Sequence, residues 1–450
     1  MNLTRRHFTQ LLGSLAFTGL SARLAHANQA VAGYGALVPD PNGLIDLPSG
    51  FSYRVISELG AAMSDGYSVP DRADGMGCFP LDENRVALVR NHELKPTHAG
   101  GPFNGPMTGP DKVYDMRSSG TPLPGGTTTL VYNMVSGKVE REYLSLAGTI
   151  RNCAGGTTPW GSWLTCEEDV TRAGDGVDKD HGWVFEVPAR ADGLVDPVPL
   201  KAMGRFNHEA AAVDPRTGIV YLTEDRDDSL FYRFLPDTPG NLAAGGRLQA
   251  LGMTHRPSGS DSRNWSQKTW ATGDWRDAIW IDLDETLSPE DDLRERGHRK
   301  GATLFARGEG IHWGDGELYF CCTSGGTAQL GQIMRYRPSA FEGTEQEPTK
   351  PSRLQLFLES TDPQTFNFGD NLTVAPNGHL IVCEDQYTDD AENYIRGVTP
   401  DGAPYDFARV RIQTEPAGGC FSPDGSTLFV NLYSPTRTLA ITGPWNRFVS

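Results

Sequence analysis

Nine acidic side chains stand where β-strands are expected to end or begin: Glu93, Glu167, Glu168, Glu209, Glu224, Asp225, Glu309, Glu384 and Asp385. The amides Asn91, Asn152, Asn371 and Asn431 recur beside them, with a thiol at Cys153 and an imidazole at His208. Carboxylate and amide oxygens are hard ligands suited to calcium, whereas a thiolate and an imidazole suit a transition metal such as iron. One acidic pair after one strand is ordinary solvated loop. Several at equivalent positions of a repeat would repel one another unless cations lay between them, and metal binding resolves that conflict. No Ser, Thr or Cys nucleophile motif stands out, and there is no Gly-Xaa-Ser-Xaa-Gly elbow on a strand-helix turn.

The elements that must position these residues repeat along the chain. A tight turn leads an alternating strand into polar residues six times. Leu81-Asp82-Glu83-Asn84-Arg85 leads to Asn91-His92-Glu93, Thr158-Pro159-Trp160-Gly161 to Glu167-Glu168, and Asp214-Pro215-Arg216-Thr217-Gly218 to Glu224-Asp225. Trp313-Gly314-Asp315-Gly316 leads to Cys322-Thr323-Ser324, Ala375-Pro376-Asn377-Gly378 to Glu384-Asp385, and Ser422-Pro423-Asp424-Gly425 to Asn431. Pro fixes its own φ and Gly or Asn accepts positive φ, so these are hairpin turns with a mechanism. Before each turn stand further polar or small residues: Asp74, Asn152-Cys153, His208-Glu209, Glu309, Asp370-Asn371 and Gly418-Gly419. Near-constant hairpin length brings the two sets level at one end of a sheet. The pattern predicts an all-β fold, a six-bladed β-propeller with inserted loops and a short helical excursion between Trp265 and Glu295. Two packed β-sandwiches are the alternative. In a propeller the inner strands line one channel, so the six sets converge at one mouth.

Composition narrows the partners. With 40 Lys and Arg against 57 Asp and Glu the net charge is -17, the wrong sign for a nucleic-acid binder. Thr4-Arg5-Arg6-His7-Phe8, the apolar stretch Leu11 to Leu20, and Ala25-His26-Ala27 read as a twin-arginine export signal over residues 1–27. That leaves 28–450 as the propeller domain, exported through the twin-arginine machinery to the periplasm or medium, with no stable membrane anchor after cleavage and as a monomer. The route carries folded proteins, which fits a cofactor loaded beforehand. The seven cysteines form no close pairs of structural-zinc type. Cys166, Cys321 and Cys383 read as small buried hydrophobes, while Cys153 stands apart in a Gly-rich polar stretch.

Asn152-Cys153-Ala154-Gly155-Gly156-Thr157-Thr158-Pro159-Trp160-Gly161, Leu164-Thr165-Cys166-Glu167-Glu168, Gly204-Arg205-Phe206-Asn207-His208-Glu209 and Tyr221-Leu222-Thr223-Glu224-Asp225-Arg226 resemble the signature of the PhoX-type alkaline phosphatases. Phe421-Ser422-Pro423-Asp424-Gly425 with Leu428-Phe429-Val430-Asn431 is similar too. The resemblance implies a six-bladed propeller holding ferric iron and calcium, and an extracytoplasmic enzyme acting on a small-molecule phosphomonoester. Carried over by position, Cys153 with Glu168 and Glu309 would ligate iron. Asn91, Glu93, Glu167, Glu209, Glu224, Asp225, Asn371, Glu384 and Asp385 would share the remaining iron and calcium positions, and Asn152 and His208 are further candidate metal ligands by residue type. Arg307, two residues before Glu309 and so expected on the same strand face, resembles the family's phosphate-contacting arginine, with Arg226 and Arg396 as lesser candidates, so Arg307, Cys153 and Glu309 are the expected catalytic residues. A calcium-dependent lactonase or phosphotriesterase would use similar Glu and Asn ligands but has no use for Cys153. A non-catalytic propeller would leave the carboxylates unexplained.

Overall fold

The structure is a computed structural model that describes residues 33–103, 112–117, 120–256, 258–386 and 393–448. The expected export signal, 1–27, lies outside the described residues. Among the latter no helix is long and apolar enough to cross a membrane.

The fold is all-β and propeller-like. Each of the six predicted turns joins an inner strand to an antiparallel partner. The inner strands are Ala73–Pro80, Asn152–Thr157, His208–Val213, Gly308–Trp313, Gly369–Val374 and Pro416–Phe421. Each packs against the next, and Pro416–Phe421 packs back against Ala73–Pro80, so the six form a ring. The ring is closed near the termini, where Ser52–Glu58 pairs with Arg437–Thr442. Among the described residues, hydrogen bonding groups the strands into five sheets rather than six. The difference lies in the excursion: Trp275–Asp282 pairs with Gly246–Met253 on one side and Arg353–Glu359 on the other, fusing two neighbouring hairpin sets into nine strands. One α-helix, Leu293–Arg299, lies among the described residues. Asp292 stands at its start without capping it, and takes hydrogen bonds from Ser288 and Arg296 instead.

Two features make the ring tight. Its strands meet at small residues: a Cβ on Gly75 would lie 2.6 Å from the Ala154 Cα, and one on Gly310 would lie 2.7 Å from the Asn371 Cα. Only glycine permits that approach. Outside the ring, aromatic residues fill the wedges between neighbouring hairpin sets, as where Phe231 stacks on Phe320 with centroids 4.4 Å apart. Burial of such rings contributes about 1.5–3 kcal/mol each, which fixes the frame that the axial residues hang from.

Candidate metal centre

Each inner strand carries a β-bulge near its start, and the bulge aims the chemistry. Asn152 pairs with Glu167, and the ladder resumes at Gly155 with Thr165; His208 with Glu224 resumes at Ala211 with Leu222; Gly369 with Glu384 resumes at Leu372 with Val382. The Ala73, Gly308 and Ala417 strands shift alike. A bulge adds one unpaired residue and re-aims its side chain. The residues just after the first paired positions are Asp74, Cys153, Glu209, Glu309, Asp370 and Gly418, and the first five line a cavity of about 700 Å³ at one end of the ring. Gly418 has no side chain to contribute.

A second tier comes from the partner strands. Where each strand leaves the ladder, one backbone N–H returns to the residue that leads into the inner strand: Glu93 to Arg72 at 2.9 Å, Glu168 to Arg151 at 2.9 Å, Asp225 to Asn207 at 3.3 Å, Thr323 to Arg307 at 3.0 Å, Asp385 to Phe368 at 2.9 Å and Tyr433 to Glu415 at 3.1 Å. Of these pairs Glu93, Glu168, Asp225, Asp385, Tyr433, Arg72, Arg151, Arg307 and Glu415 line the cavity. Arg72, Arg151, Arg307 and Phe368 all have positive φ, between 45° and 56°, so the chain turns sharply just before the strand.

Seven sequence-predicted residues thus come together: Glu93, Cys153, Glu168, Glu209, Asp225, Glu309 and Asp385, with Arg307. Ligand atoms of Glu93, Cys153 and Glu168 lie within 4.8 Å of one another, as do those of Glu209, Glu309 and Asp370. The Cys153 Sγ sits 3.2 Å from Glu209 Oε1 and 3.4 Å from Asp74 Oδ2. The other predicted ligands lie elsewhere, because alternate strand residues point to opposite sides. Glu167 accepts from the Ile150, Gly182 and Trp183 N–H groups and bonds His181 at 2.7 Å. Glu224 accepts the Tyr232 hydroxyl at 2.7 Å, and Glu384 binds Arg396 at 2.8 Å and the Asn367 N–H at 2.8 Å. Asn91 donates to the Cys153 and Ala154 carbonyls and accepts from Trp163. Asn152 bridges Thr149 and Thr165. His208 bonds the Gly204 carbonyl at 2.9 Å and packs on Phe206, and burial pulls its pKa down to about 3. Asn371 accepts the Gly418 N–H at 3.0 Å. Of the lesser arginines, Arg396 is spent on Glu384 and Asp406, and Arg226 binds Asp291 at 3.2 Å.

Sequence reading left Asp74 and Asp370 unassigned and passed over Arg72, Arg151, Glu415 and Tyr433. The bulge register would have found them: counting one residue past the first paired position gives Asp74 and Asp370, and one residue before it gives Arg72, Arg151 and Arg307. Arg307 therefore reaches the cavity because it precedes the strand with φ 51°, not because it shares a strand face with Glu309.

Nine carboxylates and one thiol face four Arg and Lys side chains in this cavity. Arg151 binds Glu93 at 2.7 Å and also Glu168, while Arg307 binds Asp225 and Glu309. The remaining charge is uncompensated. Burial first, then neighbouring carboxylates, pushes Asp74, Glu209 and Glu309 well above the usual carboxylate range. Burial and Asp385 push Asp370 up to about 7. Burial with Asp74 and Glu209 raises the Cys153 thiol as well. Asp74 Oδ1 and Glu209 Oε2 are buried with no hydrogen-bond partner among the described residues. Unpaired acceptors inside a ring of acids fit cations: bound there, a cation satisfies the acceptors, ionises the carboxylates and deprotonates the thiol.

Fold and site together define a propeller-like β-protein with an acidic axial mouth whose residues fit cations. The family model for alkaline phosphatase PhoX matches residues 32–134 and 124–436. The chain belongs to the PhoX alkaline phosphatase family and is a phosphate-ester hydrolase. Pseudomonas fluorescens PhoX, solved in complex with vanadate, a transition state analogue, is 20% identical with a TM-score of 0.66, covering 92% of this chain and 97% of that one. The gluconolactonase XC5397 of Xanthomonas campestris is 14% identical over 93% of this chain and 99% of its own, with a TM-score of only 0.41. No curated protein gives a significant match.

Proposed function

We propose that this phosphatase hydrolyses phosphate monoesters outside the cytoplasm, after twin-arginine export and removal of residues 1–27, with ferric iron and calcium held in the acidic cavity. The observation that carries the reading is the convergence of Asp74, Cys153, Glu209, Glu309 and Asp370, one from each of five bulges, with two buried oxygens left unpaired. The nine-stranded sheet is read as two blades joined by Trp275–Asp282, which makes six blades around the ring.

Glu93, Cys153 and Glu168 would hold iron through the thiolate, and Glu209, Glu309 and Asp370 would complete an oxygen-rich site beside it. Asp74, Asp225, Asp385 and Glu415 supply further hard oxygens suited to calcium. Bound there, the cations would neutralise the phosphoryl oxygens and activate an oxygen nucleophile. The chain's own groups do the positioning. Asp225 and Glu309 fix the plane of the Arg307 guanidinium through Nε and Nη2, which leaves Nη1 to donate to a phosphoryl oxygen with little ordering left to do. Arg151, held by Glu93 and Glu168, faces the same cavity. The acidic wall alone would repel the dianionic substrate, so turnover requires the cations.

The test is release of the chromophore from a phosphomonoester at alkaline pH, with calcium and then with a calcium chelator, alongside elemental analysis. Calcium-dependent release is expected. No release from protein shown to contain iron and calcium would overturn the reading and move the search to phosphotriesters and lactones.

A further inference from the structure

The three lead-in arginines are equivalent by position but not by partner. Arg151 and Arg307 are each bound to two carboxylates. Arg72 forms no ion pair among the described residues: its Nη1 donates to the Tyr433 hydroxyl at 2.9 Å and its guanidinium lies 5.3 Å from that ring's centroid. Tyr433 in turn donates to Glu93, so the fork is held beside the Glu93 site while its other N–H groups stay available. Two more basic groups stand next to it. Lys95 is exposed, and its ammonium has no partner among the described residues. His98 Nδ1 takes the Lys95 backbone N–H at 3.2 Å. A backbone N–H only donates, so the neutral ring carries its proton on Nε2. Burial first, then the neighbouring positive charges of Arg72 and Lys95, pushes the His98 pKa down.

All three line the cavity that holds the carboxylates. The lining also includes the uncharged Gln386, Asn393, Gln413 and Thr414, with Asp385 and Glu415 beside them in sequence. A volume of about 700 Å³ is in the range that encloses a whole small molecule rather than one phosphate. With the ester phosphate among the buried carboxylates, in-line displacement sends the leaving group away from the floor, toward the exposed side where Lys95 stands.

We propose that Arg72, Lys95 and His98 form a subsite for a second anionic group on the leaving group, so that doubly phosphorylated small molecules are preferred over singly phosphorylated ones; this rests on the cavity being the phosphatase site. Arg72 supplies a preformed fork, Lys95 a mobile point charge and His98 an N–H donor.

The test compares kcat/KM for fructose 1,6-bisphosphate and fructose 6-phosphate in the metal-loaded enzyme and in Lys95→Gln and His98→Gln, followed by phosphate release. The bisphosphate preference is expected to fall about fivefold in Lys95→Gln, the worth of one exposed charge contact, and to shrink in the wild type as salt is added. An unchanged ratio, or equal loss on both substrates, overturns the subsite. If neither sugar phosphate is turned over, the phosphatase reading has failed separately. Calorimetric binding of fructose 1,6-bisphosphate then decides: weaker binding by Lys95→Gln upholds the subsite and equal binding overturns it.

Discussion

The Arg307 guanidinium grips Asp225 with both arms, Nε to Oδ1 at 2.7 Å and Nη2 to Oδ2 at 2.9 Å, while Nη2 also reaches Glu309 Oε1 at 3.0 Å. One arginine thus ties a partner-strand carboxylate of one hairpin to a bulge carboxylate of the next, and keeps its plane fixed at the cavity wall.

A fixed fork is worth more in the transition state than a flexible ammonium. Arg307→Ala should lower kcat/KM on a chromogenic phosphomonoester about 10²- to 10³-fold, and Arg307→Lys should recover only a small part of it. Steady-state kinetics with matched metal content reads this, and a Lys variant as active as the wild type would count against the role of the fixed guanidinium.

Glu167 and Glu168 are neighbours with opposite duties. Glu167→Gln replaces an acceptor oxygen by a donor against three backbone N–H groups and His181, and should cost about 2–4 kcal/mol of stability while the cavity keeps its ligands. Glu168→Gln removes a carboxylate whose pKa burial drives up and whose partner is Arg151, so it should deplete bound metal with far less loss of stability. Denaturant titration and elemental analysis on both variants separate the two effects; matching profiles would contradict the alternation.

Cys153 is the one thiol in the cavity. Cys153→Ser should leave the fold intact, since the side chains are nearly isosteric, but lower the iron-to-protein ratio and with it activity by about 10²-fold. Iron retained at the wild-type ratio would assign the iron to the all-oxygen set instead.

The metal-free cavity should make stability fall with rising pH. Burial and Asp385 hold the Asp370 pKa up at about 7 against an ordinary 3.8, and Asp74, Glu209 and Glu309 are raised too. A raised carboxyl pKa means the folded state binds more protons than the unfolded one. The stabilisation is therefore complete below the unfolded value and is lost as pH climbs through the folded value. The Tm of chelator-treated protein should drop between about pH 5 and pH 8, while metal-loaded protein, its carboxylates ionised on cations, should not follow. A chelated Tm that rises over this interval would refute the uncompensated cluster.

Much of this was legible in the chain. Turns rich in Pro, Gly, Asn and Asp, two of them Pro-Asn-Gly and Pro-Asp-Gly, mark six hairpins with their alternating strands, because turn residues fix φ locally and hydrophobic alternation needs only a strand and a buried face. Cys153, Glu168, Glu209, Asp225 and Glu309 stand out by type and spacing within those repeats, and Arg307 by the family resemblance. What the chain alone left undecided is which member of each adjacent pair faces the axis. Glu167 and Glu168, Glu224 and Asp225, and Glu384 and Asp385 are alike in local sequence, and one step of register exchanges their roles. The bulges set that register, and they form where six strands crowd at Gly75, Ala154 and Gly310, a contact between residues far apart in sequence. Local propensity therefore determined the hairpins and the chemistry they carry, while the closing of the ring decided which acids gather in the cavity and which are spent holding the backbone.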